Sequence, residues 1–187
     1  MFRNIIDKTQ AKDATTDNFL YLCDMNNPKY IVAFTGHRSY DGGADAALKS
    51  CIAGLYAEGA RTFRVGMAEG FDLAAAEAVI HLKQQHSDII LEAYIPYTSF
   101  DSHLNNRDLD RYRKILASTE CTYILSDRYC HGIYQLRNNR LVDGADIVVA
   151  WWDGTSSGTG YTVKRAVKQQ LRIINLCPTP AVAELPF

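Results

Sequence analysis

The order of sequence patterns predicts an α/β protein with a Rossmann-like, mainly parallel sheet and helices on both faces, in three α/β/α layers. Short apolar runs of strand length recur along the chain without polar alternation, as strands buried on both faces require. Helix-like stretches separate them, which suits parallel strands joined by crossovers. Glycines follow several of the runs, at the strand ends where sheets of this kind bind ligands. The chain has 187 residues, enough for one such domain and its core.

Tyr30 to Phe34 is an apolar, β-branched run that ends in Thr35-Gly36, so it reads as a buried strand meeting a turn. Ala44 to Glu58 carries Ala47, Leu48, Cys51, Ile52 and Leu55 on one helical face, with Gly59 as a stop. Thr62 to Val65 is the second strand, closed by Gly66, and a helix follows from about Phe71 with Leu73, Ala76, Glu77 and Ile80 at helical spacing. Ile89 to Ile95 is a third strand that Pro96 ends. Tyr97 to Asn106 is polar and turn-rich and reads as a long loop. A helix over Asp108 to Ala117 leads to a strand at Thr122 to Leu125. After the polar, aromatic segment Ser126 to Tyr134 comes a helix over Gln135 to Val142. Asp146 to Trp152 is the most strand-like run. A loop over Asp153 to Ser157, a helix from Gly158 to Leu171 and a strand at Ile173 to Leu176 complete the pattern. Residues 1–29 show no clear period and read as an N-terminal extension; residues 30–187 form a single domain.

Composition narrows the function. Hydrophobic residues make up 47% and charged residues 22%, with a formal net charge of −1. No global positive field exists to draw in a phosphate backbone, so nucleic acid is not the expected partner. No apolar run has the length of a membrane span, and the N-terminus has no secretory pattern. Five cysteines, Cys23, Cys51, Cys121, Cys130 and Cys177, stand singly, and the histidines have no ligand spacing. Free thiols, no metal site and a cytoplasmic location are the expectation.

Three strand-to-helix loops hold the candidate chemistry. In Thr35-Gly36-His37-Arg38, glycine admits a ligand to the backbone and Arg38 can fork onto phosphate. His37 reads as an orienting or packing group, since no acidic partner for it is visible in the sequence. In Gly66-Met67-Ala68-Glu69-Gly70-Phe71-Asp72, two glycines bracket a turn and Asp72 enters a first helical turn. The helix dipole alone justifies that carboxylate; the functional reading has it accept hydrogen bonds from a ribose or a base. Glu69 and Asp72 could also serve as paired carboxylates for acid/base work. In Asp153-Gly154-Thr155-Ser156-Ser157-Gly158-Thr159-Gly160-Tyr161-Thr162, glycines and hydroxyls form a phosphate cradle at a helix start, where Ser157 also serves as a cap. Trp151 and Trp152 end the best strand, one for the core and the other for a pocket wall that stacks on a base. No Gly-x-Gly-x-x-Gly fingerprint, no Walker loop and no Ser-His-Asp set is present.

These stations, in this order, resemble the YpsA-like proteins of the SLOG superfamily. Thr35-Gly36-His37-Arg38 is similar to their opening motif, and Gly66 to Asp72 with Ala74-Ala75-Ala76-Glu77-Ala78 to their second glycine loop and helix. Tyr134 to Asp143 resembles their Arg-Asn-x-x-(hydrophobic)-Val-Asp helix, and Trp152-Asp153-Gly154 with Ser157 to Thr162 their last ligand loop. The resemblance covers about Tyr30 to Leu176. It implies a pocket for a nucleotide or a nucleotide-derived ligand such as an ADP-ribose-like molecule or nucleoside phosphate, with no cofactor. The positions carried over are Gly36, Arg38, Gly66, Gly70, Asp72, Asn138 or Asn139, Gly158 and Thr159. The LOG phosphoribohydrolases of the superfamily read Pro-Gly-Gly-x-Gly-Thr-x-x-Glu at the last loop. Here Thr155 to Val163 lacks that proline and glutamate, with Lys164 and Arg165 following. The reading is therefore a sensor or regulatory binding module. N-glycosidic or phosphoribosyl hydrolysis, with Asp72 or Glu69 as acid/base and no assigned catalytic set, is the alternative; a protein-binding scaffold with a vestigial pocket is a third. The resemblance also favours a homo-oligomer, for which the aromatic-rich segment Tyr123 to Tyr134 offers a surface.

Overall fold

A computed structural model describes residues 29–178, so the N-terminal extension and Cys23 lie outside the described residues. Six strands form one sheet: β1 (Tyr30–Gly36), β2 (Ala60–Val65), β3 (Ile90–Ile95), β4 (Cys121–Ile124), β5 (Ile147–Trp151) and β6 (Arg172–Asn175). Their spatial order is β4-β3-β2-β1-β5-β6, and every pairing is parallel. The helices are α1 (Asp45–Ala57), α2 (Phe71–Lys83), α3 (Asn106–Leu116), α4 (Ile133–Val142) and α5 (Gly158–Lys168). Among the described residues no helix is long and apolar enough to cross a membrane.

The strand order explains the layers. From β1 the chain moves outward through β2, β3 and β4, then returns to the other side of β1 for β5 and β6. Parallel crossovers keep one hand, so reversing direction moves the helices to the opposite face. Accordingly α1, α2 and α3 are neighbours in one layer and α4 and α5 in the other. Alternate residues of β1 feed different layers: Val32 and Phe34 join the core under α1–α3, while Ala33 joins the smaller cluster with Leu141, Val142 and Ala166 of α4 and α5. Phe34 and Phe63 stack with centroids 6.2 Å apart at the centre of the larger core.

Helix α2 lies between α1, α3 and the sheet, which is why it buries Phe71, Leu73, Ala75, Ala76, Ala78 and Val79 around most of its girth. Its alanines let three elements approach at once. Helix α3 starts at Asn105, whose side chain accepts from the Asp108 amide at 3.0 Å. The stretch expected to be a plain loop, Tyr97 to Asn106, instead contains a one-turn 3-10 helix at Phe100–His103, because Phe100 inserts into the core. Helix α5 ends three residues before Leu171, where Gln170 takes a left-handed φ of 59° and reverses the chain.

Phe63 is fully buried and stacked, so Phe63→Ala should lower the unfolding free energy by about 3–5 kcal/mol in urea denaturation. A loss below about 1 kcal/mol would mean that this ring does not anchor the core.

Candidate functional site

Strand β1 is the switch point of the sheet, with β2 on one side and β5 on the other, and the loops after β1 and β5 diverge into opposite layers. Such a divergence opens a crevice at the carboxyl ends of the strands. A cavity of about 380 Å³ lies there, lined by Thr35 to Arg38 after β1, Ala68 and Asp72 at the start of α2, Tyr134, Arg137, Asn138 and Leu141 of α4, and Ser157 to Thr159 at the start of α5.

Its floor is a buried ionic contact. Asp72 is 5% exposed and Arg137 6%. Arg137 Nη1 donates a short hydrogen bond to the carbonyl of Gly66 and lies 3.6 Å from Asp72 Oδ2. The Ala68 amide donates to the same carboxylate oxygen at 3.3 Å. Burial pushes the Asp72 carboxyl up to about 6, against the pull of the Arg137 charge and the Ala68 hydrogen bond. Burial likewise drives the Arg137 guanidinium below its ordinary value, with Asp72 opposing. Arg137 Nε is buried without a hydrogen-bond partner among the described residues, an arrangement that costs energy unless something else accepts from it.

Backbone shape makes room for this contact. A Cβ on Gly66 would lie 2.0 Å from Arg137 Nη1 and 2.6 Å from Asp72 Oδ2, so any side chain there would push the guanidinium and the carboxylate out of place. Gly70 has φ of +80°, and a Cβ there would lie 2.4 Å from the Arg38 carbonyl oxygen, so the β1 and β2 loops touch backbone to backbone. Between them Met67 takes a left-handed φ of 61° while its side chain is fully buried. Packing holds a conformation that a non-glycine residue otherwise avoids.

On the opposite wall, Ser157 caps α5 by accepting from the Gly160 amide at 3.1 Å. The amides of Gly158 and Thr159 find no acceptor among the described residues, leaving two donors at the positive end of the helix dipole. Asn138 Nδ2 reaches the Gly158 carbonyl at 3.4 Å and ties α4 to α5.

Of the residues expected at the site, Gly36, His37, Arg38, Asp72, Asn138, Ser157, Gly158 and Thr159 line this one cavity. Gly66 lies beneath it as the seat for Arg137. Glu69 and Gly70 instead face a second, more polar cleft of about 800 Å³ between α1, α2 and α3, which shares Arg38 with the first. Arg38 pairs with Glu69 at 3.2 Å, so Glu69 is separated in role from Asp72. Asn139 turns away and accepts from the Tyr161 hydroxyl at 3.0 Å. Trp152 forms no cavity wall: its Nε1 donates to the Thr155 carbonyl at 2.7 Å and its ring covers Gly160, bracing the loop. Trp151 packs on Phe71 and Tyr40.

His37 does have an acidic partner, brought 116 positions along the chain: its Nε2 is 2.9 Å from Asp153 Oδ1. Asp153 accepts from the hydroxyl and amide of Thr155, which, with the neighbouring imidazole, hold its carboxyl down to about 2. It positions His37 from outside the cavity. Arg137, Tyr134, Thr35, Ala68 and Leu141 are lining residues that site reasoning passed over. Arg137 had a signal, because it stands four residues from both Ile133 and Leu141, on a helical stripe whose other members are buried.

A family model for the YspA SLOG family matches residues 32–175. The chain belongs to that family. A UPF0398 protein of Halalkalibacterium halodurans is 27% identical over 154 residues, covering 75% of this chain and 82% of that protein. DNA processing protein A from Streptococcus pneumoniae shares the fold at a TM-score of 0.57 and 20% identity, over 81% of this chain and 51% of that one. The Helicobacter pylori protein, described with a single-stranded DNA binding mode, gives a TM-score of 0.56 at 19% identity, over 81% and 66% of the two chains. This SLOG chain thus spans about half the length of the first of these solved structures and two thirds of the second.

Asp72 binds its proton more tightly in the folded SLOG domain than an ordinary aspartate, at about 6 against roughly 4. Its contribution to stability is therefore complete below pH 4 and is lost as pH rises through 6. Urea unfolding from pH 4 to pH 7 should show stability falling by the order of 1–3 kcal/mol in the wild type and a flatter profile in Asp72→Asn. Superimposable profiles would remove Asp72 from the titration.

Proposed function

We propose that the cavity beside β1 binds the phosphorylated part of a nucleotide or nucleotide-derived ligand, as a sensor or regulatory module. The observation that carries this reading is Arg137, a buried cation lining the cavity whose Nε has no partner among the described residues, as the two amides opening α5 have none. An anion placed between them would accept from both walls. Arg38 adds a movable charge, since its exposed pairing with Glu69 is the kind worth only about 0–1 kcal/mol and easily exchanged.

The net charge of −1 and the modest volume of about 380 Å³ favour a small anionic ligand over a nucleic-acid strand. The single-stranded DNA named for the Helicobacter pylori neighbour enters as the competing ligand in the same assay. Thermal unfolding should be measured with AMP, ADP-ribose, cyclic dinucleotides and an oligothymidylate. At about 100 times Kd a bound ligand adds roughly 2.7 kcal/mol. We expect stabilisation by at least one small nucleotide, absent in Arg137→Met. No shift with any of them, or a shift with the oligonucleotide alone, rejects the small-ligand reading.

A second reading, cleavage of an N-glycosidic bond, rests on Asp72, whose carboxyl lines the cavity and holds its proton up to about 6. Such a group can protonate a departing base. Incubation with AMP should then release adenine, measured chromatographically, and Asp72→Asn should slow release by about 100-fold or more. No adenine above the protein-free rate leaves binding alone.

A further inference from the structure

The cavity described above holds groups suited to phosphate and sugar, and its one tyrosine, Tyr134, offers a ring face to a base. Its volume of about 380 Å³ is at the small end for a ligand site. A base attached to a sugar phosphate held there would lie over the rim. One sector of that rim is aromatic. Tyr134 lines the cavity, and its ring centroid is 6.0 Å from that of Tyr129 and 6.3 Å from that of Tyr97. Tyr97 is 4% exposed and rests edge-on against the buried Phe100, while Tyr129 is 58% exposed.

From this we infer that Tyr129 and Tyr134 form a stacking shelf for the nucleobase of a ligand whose phosphate lies between Arg137 and α5. The two rings are inclined at 52° to each other, so a base stacks on the exposed Tyr129 with Tyr134 beside its edge. Tyr97 meets both rings from below, at 5.8 Å from Tyr129, and its hydroxyl is 3.4 Å from that of Tyr134. Gly132, at φ of +81°, turns the chain between the two shelf tyrosines so that both rings come to the same rim. The loop carrying Tyr129 is fastened by the Ser126 hydroxyl donating to the Arg128 carbonyl at 2.7 Å and by the Thr98 amide donating to the Ser126 carbonyl at 3.1 Å. Tyr134 stands three residues before Arg137, so the ring and the guanidinium share one helix face. Base and phosphate would thus be read one turn apart on α4. Stacking on a tyrosine needs no hydrogen-bond match, so the shelf selects for a base over none and discriminates weakly among bases.

The inference rests on the anion-binding reading of the cavity, and two probes separate them. Titration calorimetry with AMP and with ribose 5-phosphate should be run on the full chain, on Tyr129→Ala and on Tyr129→Trp. Ribose 5-phosphate binding tests the cavity, and the gain of AMP over it tests the shelf. AMP should bind the wild type at least about tenfold more tightly than ribose 5-phosphate. Tyr129→Ala should cost AMP about fivefold or more and ribose 5-phosphate less than about twofold, and Tyr129→Trp should restore AMP. Equal affinity of the two probes for the wild type overturns the shelf and leaves the cavity reading standing. So does an equal loss for both in Tyr129→Ala. If neither probe binds, the cavity reading falls and the shelf falls with it. Sedimentation of the same variants supplies the competing use of these rings: an oligomer that Tyr129→Ala dissolves, with AMP affinity unchanged, assigns the patch to self-association and overturns the inference.

Discussion

The contact of Arg137 with the Gly66 carbonyl and Asp72 joins parts of the fold that have no other reason to meet. Arg137 belongs to the helix layer on one side of the sheet, Asp72 to the layer on the other, and Gly66 to the strand end between them. A guanidinium can make this connection because its donors fan out in a plane. It is also costly, since both charges leave water and burial outweighs their attraction in setting the Asp72 proton affinity. An apolar pair would close the sheet end more cheaply. The charge is retained nonetheless, with Nε unpartnered among the described residues.

Around that floor the backbone is arranged by exclusion. Glycine at 66 leaves the volume the guanidinium occupies, and glycine at 70 lets the β1 loop lie directly on the β2 loop. Met67 accepts a disfavoured backbone angle because its side chain is held in the core. The His37–Asp153–Thr155 chain fixes the remaining wall by tying the loop after β1 to the loop after β5. Each of these contacts sets the position of a group at the cavity without being part of its lining, except His37 itself.

Local signals in the sequence carried the fold and most of the lining. Apolar runs located all six strands within a few residues, most cleanly β1 and β5, which are buried on both faces; the half-exposed edge strands β4 and β6 were legible from their β-branched and aromatic residues instead. The helix start at Ser157 to Thr159 was visible because caps are a property of a helix start. What stayed hidden depended on distance. His37 gained its acid only through the β1–β5 pairing, and Glu69 and Asp72, three residues apart, went to different clefts because the helix start turned one away from the other. Of the two tryptophans, one of which the sequence offers as a pocket wall, Trp151 packs on Phe71 and Trp152 braces the loop at Gly160 and the Thr155 carbonyl. Arg137 shows the opposite lesson, a local signal present but unused: a charge on an otherwise buried stripe.

Strand order adds a consequence for assembly. The lining comes from the loop after β1, the start of α2, one face of α4 and the start of α5, and about a hundred residues of chain separate β1 from its partner β5. No fragment ending before β5 and α5 contains both walls. Closing such long-range contacts is the slow part of building a parallel sheet. The cavity therefore exists only where β1 and β5 are paired, and whatever occupies it holds both halves of the sheet together.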